Sequence, residues 1–463
     1  LFKSGSQQSI SCILAAKPDQ TLSFCPPVSL LVQTGSDMMR FLTMTAMAAT
    51  LGVAGCQAEI PANTDVDATD TTHAQIAPAD HHGDGLQALH DRLLLIDTHV
   101  DIGSGYATAE LDPGGFSAAQ VDLPKMRAGG LDAAFFIVYT GQAGLDDESL
   151  ATARQTAEDA YIAINRMIRA YPDQIALART ADEVEAIAAS GRRVALIGME
   201  NAYPLGNSLD DLPLWAARGV RYVSVTHFGN NQFGGSSNPN VANGEPEADP
   251  GLSELGRHLI PALNDLGIMV DISHVGKTTM MEAVALSRAP VIASHSGAHG
   301  VYQNARNLDD EQLLAIRDNG GVAQMVAFRT YVQPLSDEHT QAIDDARERL
   351  GLDTADGRAN ATPEQWASLR AELTALRDQF PGVTISDFVD HIDHAISVVG
   401  VDHVGIASDF DGGGGVDGWE DASQTLEVTR ELVLRGYSED DLAKIWGGNV
   451  LRVMRAVEAA AAQ

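Results

Sequence analysis

A short apolar run, LLLID (93–97), leads straight into THVD, so a histidine and an aspartate, His99 and Asp101, arrive two residues apart. In extended backbone, residues i and i+2 share a face, which aims this imidazole and carboxylate at one point, with Asp97 one step deeper. Similar deliveries follow along the chain: Glu200 directly after VALIGM (194–199), His274 after VDIS, His295 after VIAS, and Asp409 in IASDFDG. Taken singly, each could be a helix cap, an ion-pair partner or a satisfied structural histidine. Together His99, Asp101, Glu200, His274 and His295 supply imidazoles and carboxylates on one rim, a donor set that suits zinc or another borderline metal.

Sulfur ligands are excluded from the body. The three cysteines are Cys12, Cys25 and Cys56, so nothing beyond residue 56 can form a disulfide or a Cys-ligated site. Five ligands are more than one ion needs, and a carboxylate shared between two ions explains the number, with Glu200 as the bridge. A paired-metal site clamps a carbonyl oxygen and generates hydroxide near neutral pH. Asp409 could then accept a proton from water and pass it to a leaving amine, with Asp411 competing for the role. His227, ending RYVSVTH (221–227), could hydrogen-bond a developing oxyanion. Arg306, in the loop after His295, could bind a substrate carboxylate through its two-pronged guanidinium, or form a surface ion pair.

Such a rim needs elements that end together. Apolar runs recur at 93–97, 133–139, 194–199, 221–227, 267–273, 290–296, 321–327 and 403–411, with helical stretches between most of them, such as 147–171, 251–266, 276–288 and 309–319. Continuous apolar strands suit a parallel sheet buried on both faces. Eight βα units predict an α/β fold of the (β/α)₈ TIM-like barrel class, whose chemistry lies at the C-terminal ends of the strands. A doubly wound open sheet is the alternative. The polar, helical stretch 329–386 reads as an insertion after the seventh strand, a lid or an interface. The end of the chain reads as closing amphipathic helices with Ser438 as an N-cap.

The N-terminal part has a different character. Residues 1–37 carry no period and read as upstream of a start at Met38 or Met39. Arg40 and the apolar run 41–54 then have signal-peptide length, too short to span a bilayer. Val53-Ala54-Gly55-Cys56 resembles a bacterial lipoprotein processing box, which implies a lipid-anchored protein of the cell envelope facing the periplasm or exterior. Residues 57–86 read as a flexible linker, including His73, His81 and His82, with the folded domain spanning 87–463. Net charge is −33, which argues against a nucleic-acid partner and fits a strongly solvated acidic surface.

The segments LIDTHVD, VDLPKMRAGGLDAAFFIVYT, IGMEN, RYVSVTH, GIMVDISHVG, SRAPVIASHSGAHGV and GIASDFDG, in this order, resemble the membrane dipeptidase (renal dipeptidase) family of zinc peptidases. The resemblance runs from roughly 93 to 458. It implies a barrel with two zinc ions per chain: His99 and Asp101 on the first, Glu200 bridging, His274 and His295 on the second. It also implies that His227 contacts substrate at the scissile carbonyl, Arg306 holds the C-terminal carboxylate and Asp409 handles the proton. The substrate would be a dipeptide, with D-residues tolerated at its C-terminal position. The chain departs from the family in Ala305, where a second arginine can occur, in His299, an added polar group near the pocket, and in the length of 329–386. A homodimer of this chain would lack the disulfides of animal members.

Two other readings are open to test. N-acyl-amino-acid deacylases and lactonases are related amidohydrolases, but many open with H-x-H and bridge their metals with a carboxylated lysine. Here the motif is H-x-D, and Lys125, Lys277 and Lys444 do not end apolar strands. A binding protein that had lost catalysis would lack a ligand or Asp409, and all are present.

Overall fold

Runs such as AAFFIVY, rich in β-branched and aromatic residues, form strands because both faces can be buried. The computed structural model describes residues 84–241, 244–353, 362–377, 379–380 and 382–461. The signal-like run, Cys56 and the histidines of the linker lie outside the described residues. The strands are β1 (Ile96–Asp101), β2 (Ala133–Tyr139), β3 (Ile175–Leu177), β4 (Arg193–Glu200), β5 (Val220–Ser224), β6 (Met269–Asp271), β7 (Ile292–Ser296), β8 (Val322–Val326) and β9 (Val404–Ala407). All pairings between them are parallel, in the order β1-β2-β4-β5-β6-β7-β8-β9, while β3 adds to β4 alone.

The last strand returns to the first. Phe410 bridges Val100 in parallel, Asp101 N–H donates to the Phe410 carbonyl at 2.9 Å, and Asp409 N–H donates to the His99 carbonyl at 3.1 Å. An open doubly wound sheet has no such contact, so the fold is a nearly closed eight-stranded TIM-like barrel. Ile96, Phe135, Leu196, Tyr222, Met269, Ile292 and Val322, from seven strands, share one apolar cluster with Val450, Val453 and Met454 of the C-terminal helix Asn449–Ala461. Residues from so many strands meet inside a barrel, and the terminal helix extends that core. Their neighbours of opposite parity, such as Phe136 and Ile197, pack in the larger cluster with the surrounding helices. Each fully buried side chain of this kind contributes about 1.5–3 kcal/mol.

The helices between strands start where the sequence supplies caps. Asp146, Ser253 and Asp309 accept hydrogen bonds from the first turns of Asp147–Ala170, Glu254–Asp265 and Asp310–Asp318. Ser438 caps Glu439–Ala443 in a reciprocal capping box with Asp441, as its position predicts. After β8 come helices Arg329–Val332, Asp337–Arg349 and Pro363–Arg377, in the stretch read as an insertion. Ala346, Leu352 and Leu369 there form a small apolar cluster of their own. Its first turn is different: Arg329, Tyr331 and Val332 are buried.

The first strand is displaced from its expected place. It begins at Ile96, not Leu93, and runs through Asp101, so the chemistry lies inside the strand. Buried polar residues are tolerated there because Asp97 Oδ1 accepts from His99 N–H at 3.1 Å and Ser408 N–H at 3.0 Å. Among the described residues, no helix is long and apolar enough to cross a membrane.

Candidate metal centre

Four side chains reach the site from strands. His99 and Asp101 project from β1, Glu200 is the last residue of β4, and His295 lies within β7. Three more come from just past strand ends: His227 three residues beyond β5, His274 three beyond β6 and Asp409 two beyond β9. These later positions need a bent backbone, and φ is +67° at His274 and +58° at Asp409. Non-glycine residues in that region carry a cost of order 1 kcal/mol or more, which a surrounding structure must hold.

Glu200 is the centre of the arrangement. Its Oε2 lies 3.6 Å from His99 Nε2, and its Oε1 lies 3.0 Å from His274 Nε2 and 3.2 Å from His295 Nε2. His227 Nε2 is 3.7 Å from the same Oε1, and Asp101 Oδ2 is 3.4 Å from His99 Nε2. Three overlapping groups each bring ligand atoms within 4.8 Å of one another: His99, Glu200 and His295; Glu200, His227 and His274; His99, Asp101 and Asp409. Each of the five residues read as ligands from the sequence is here, and so are His227 and Asp409.

The environment fixes which nitrogens face inward. Tyr222 donates its hydroxyl hydrogen to the Thr98 carbonyl at 3.0 Å, so it accepts from His99 Nδ1 at 3.0 Å and leaves Nε2 bare. His295 is held in the same way. Ser294 Oγ donates to Asp271 Oδ2 at 2.7 Å and accepts from His295 Nδ1 at 2.8 Å. Asp271 also accepts from the Ser224 hydroxyl and from the backbone of Ser273 and Ser294. His99 Nε2 has no hydrogen-bond partner although it is buried. His274 Nε2 and His295 Nε2 stand 2.8 Å apart, two ring nitrogens directed at one place. Converging imidazole nitrogens around a shared carboxylate, those of His99 and His295 left bare by their Nδ1 partners, fit metal ions.

Two glycines make the room. A Cβ at Gly198 would meet the Tyr222 ring at 2.2 Å, and one at Gly412 would meet Asp101 Oδ2 at 2.1 Å and Asp409 Oδ1 at 2.3 Å. A side chain at either position would displace groups of the site.

Charge is distributed unevenly. Burial opposes ionisation of Glu200, yet the imidazoles of His227, His99, His274 and His295 around it hold its carboxyl well below the usual range. Burial also opposes protonation of His99, but Glu200 and Asp101 outweigh it and raise that imidazole. Burial and neighbouring positive charge push His274 and His295 well below the ordinary value. Asp409 is raised well above the ordinary carboxyl range by burial, with the Asp101 and Glu200 carboxylates adding to the effect against His99 and Arg306.

Arg306 is 3% exposed. It donates from Nη1 to Ser296 Oγ at 2.9 Å and from Nη2 to the His295 carbonyl at 2.7 Å, while Nε has no partner. The surface ion pair considered for it is not formed among the described residues. Tyr331 lies beneath it, with the ring centroid 5.4 Å from the guanidinium carbon. Asp411 takes a different place from Asp409. It accepts from Gln120 N–H at 2.9 Å and Val121 N–H at 3.2 Å, fastening the segment 120–121 beside the site. His299 lines a surface hollow with Lys277, Asp309, Asp310 and Glu311.

Some participants were not singled out from the sequence. Tyr222 and Asp271 are visible as polar groups inside apolar strands, a signal of a buried partner. Ser294 sits beside His295 in VIASHS. Tyr331 carries no local signal, because its relation to Arg306 is tertiary.

Barrel and site together define a metallohydrolase of the kind that works at the C-terminal ends of parallel strands. Comparison with known families specifies which. The family model of membrane dipeptidases, peptidase family M19, matches residues 84–463, and the chain belongs to that family. The dipeptidase tcpJ of Claviceps purpurea is 32% identical over 350 residues, 74% of this chain and 71% of the relative. The dipeptidase aclJ of Aspergillus oryzae is 31% identical over 345 residues, 73% and 70% of the two chains. The crystal structure of the probable dipeptidase PvdM from Pseudomonas aeruginosa is similar at 35% identity and a TM-score of 0.72, covering 81% of this chain and 98% of that one. The protein is a metallo-dipeptidase that hydrolyses dipeptides.

Proposed function

We propose that this dipeptidase works with two zinc ions, His99 and Asp101 holding one, His274 and His295 the other, and Glu200 shared. The observation that carries the reading is the division of Glu200, with Oε2 turned to His99 and Oε1 to His274 and His295. Zinc bound there would polarise the scissile carbonyl and bring the ionisation of water towards neutrality.

The protein's own groups complete the reaction. Asp409, with its raised carboxyl, takes a proton from the attacking water and returns it to the leaving amine. His227 faces Glu200 from the open side and donates a hydrogen bond to the carbonyl oxygen as charge develops. Arg306, a buried cation without an anion, receives the C-terminal carboxylate of the substrate. A carboxylate required that close to the reacting carbonyl limits substrates to dipeptides. D-residues at that position are part of the proposal, on the strength of the family resemblance. So is attachment to the cell envelope by a lipid on Cys56, supported by the run 40–56, and a homodimer without disulfides.

The deciding experiment is a panel of L,L-dipeptides, L,D-dipeptides and N-acyl amino acids, assayed with and without added zinc. We expect zinc-dependent cleavage of both dipeptide classes. Hydrolysis of acyl amino acids without any dipeptide cleavage would replace this reading with the deacylase one.

A further inference from the structure

His391 lies on the helix Ile385–Val399, which carries the chain back to the barrel, and is fully buried. Both ring nitrogens are engaged. Nδ1 lies 2.8 Å from the backbone N–H of Ala298, a donor, so this nitrogen is the bare acceptor. Nε2 lies 2.8 Å from the Val332 carbonyl, so it carries the hydrogen. The two partners select one neutral tautomer.

These partners belong to the two walls around Arg306. Ala298 opens the loop that returns through Arg306: it bridges Leu308, His299 N–H donates to the Leu308 carbonyl at 2.8 Å, and Leu308 N–H donates to the Gly297 carbonyl at 2.9 Å. Val332 closes the turn that presents Tyr331 beneath the guanidinium. Asn307 Nδ2 already ties the walls by donating to the Tyr331 carbonyl at 2.8 Å. His391 adds a second tie from a third element.

We infer that His391 is a positioning residue: by holding the Ala298 loop against the Tyr331 turn it sets Arg306 for the substrate's C-terminal carboxylate. The inference rests on the role of Arg306 proposed above. It predicts that the helix after the insertion governs substrate affinity without touching substrate.

The ring's two bonds can be separated. His391→Asn keeps an acceptor near the Nδ1 position, whereas His391→Gln keeps a donor near the Nε2 position. Steady-state constants for a dipeptide are measured on zinc-loaded, folded protein, together with melting temperature. Either change cuts one side of the tie, so H391N and H391Q should each raise KM roughly five- to tenfold, the effect of one such hydrogen bond, with kcat nearly unchanged. An unmoved KM in either variant would overturn the inference, as would an effect confined to kcat. R306A in the same assay separates the two readings. An unmoved KM in R306A removes the role of Arg306 itself, whereas a raised KM in R306A beside an unmoved H391Q removes the inference about His391 alone.

Discussion

The side chains that reach the site from inside strands differ in kind from those that reach it from just beyond. His99, Asp101, Glu200 and His295 take their direction from the pleat of the sheet, and two of them are fixed further by hydroxyl relays from Tyr222 and Ser294. His227, His274 and Asp409 depend on loops, and His274 and Asp409 on positive φ. His227 packs against Tyr139 and Phe228, with ring centroids at 4.9 and 4.6 Å, at the partly exposed mouth. The difference separates two tasks. The strand set, completed by His274, forms the floor for metal, while His227 and Asp409 are placed by the segments around them to receive substrate and handle its proton.

Breaking the floor should cost most. Glu200→Gln removes the shared charge, and we expect loss of bound metal with activity down roughly a thousandfold or more, read by metal analysis and kcat/KM. Asp409→Asn breaks the loop set instead. Turnover should fall about 10²- to 10⁴-fold with metal content unchanged, and loss of metal in this variant would erase the distinction between the two sets. Ser294→Ala and Tyr222→Phe loosen the floor without removing a ligand. Each should weaken zinc about 10- to 100-fold in a chelator competition, with kcat largely kept at saturating zinc.

The smallest effect concerns histidines outside the centre. His90 and His391 are lowered chiefly by burial, against hydrogen bonds to the carbonyls of Gly129 and Val332 that raise them. A lowered folded value means the stabilisation is complete above the unfolded value of about 6.5 and is lost as pH falls through the folded value. On going from pH 8 to pH 5, the change in melting temperature of metal-free protein should therefore be less unfavourable by a few degrees in a His90→Asn, His391→Asn double variant than in the parent.

The same division governs what could be read from residues alone. Strands β2, β4, β7 and β8 are legible because they are continuous apolar runs, and their ends predict Glu200 and His295. The first strand ends four residues later than its apolar run because Asp97, Thr98 and His99 look like the end of a strand. Their burial is made tolerable by partners on Ser408, Ile406 and Ser294, far along the chain. β3 escapes notice because Ile175–Leu177 is three residues pairing with β4 alone. His274 and Asp409 are legible as residue types at strand ends, but not as left-handed positions, since neither is glycine. Arg306 is suggested by its place after His295, whereas Tyr331 and His391 come from other segments that only the folded chain brings to it.

The central claim is a pair of metal ions joined by Glu200, and it is tested most directly by counting zinc in the purified protein by native mass spectrometry. The account predicts two zinc ions per chain, falling to one or none in Glu200→Gln. A single ion in the parent protein, unchanged by that substitution, would contradict it.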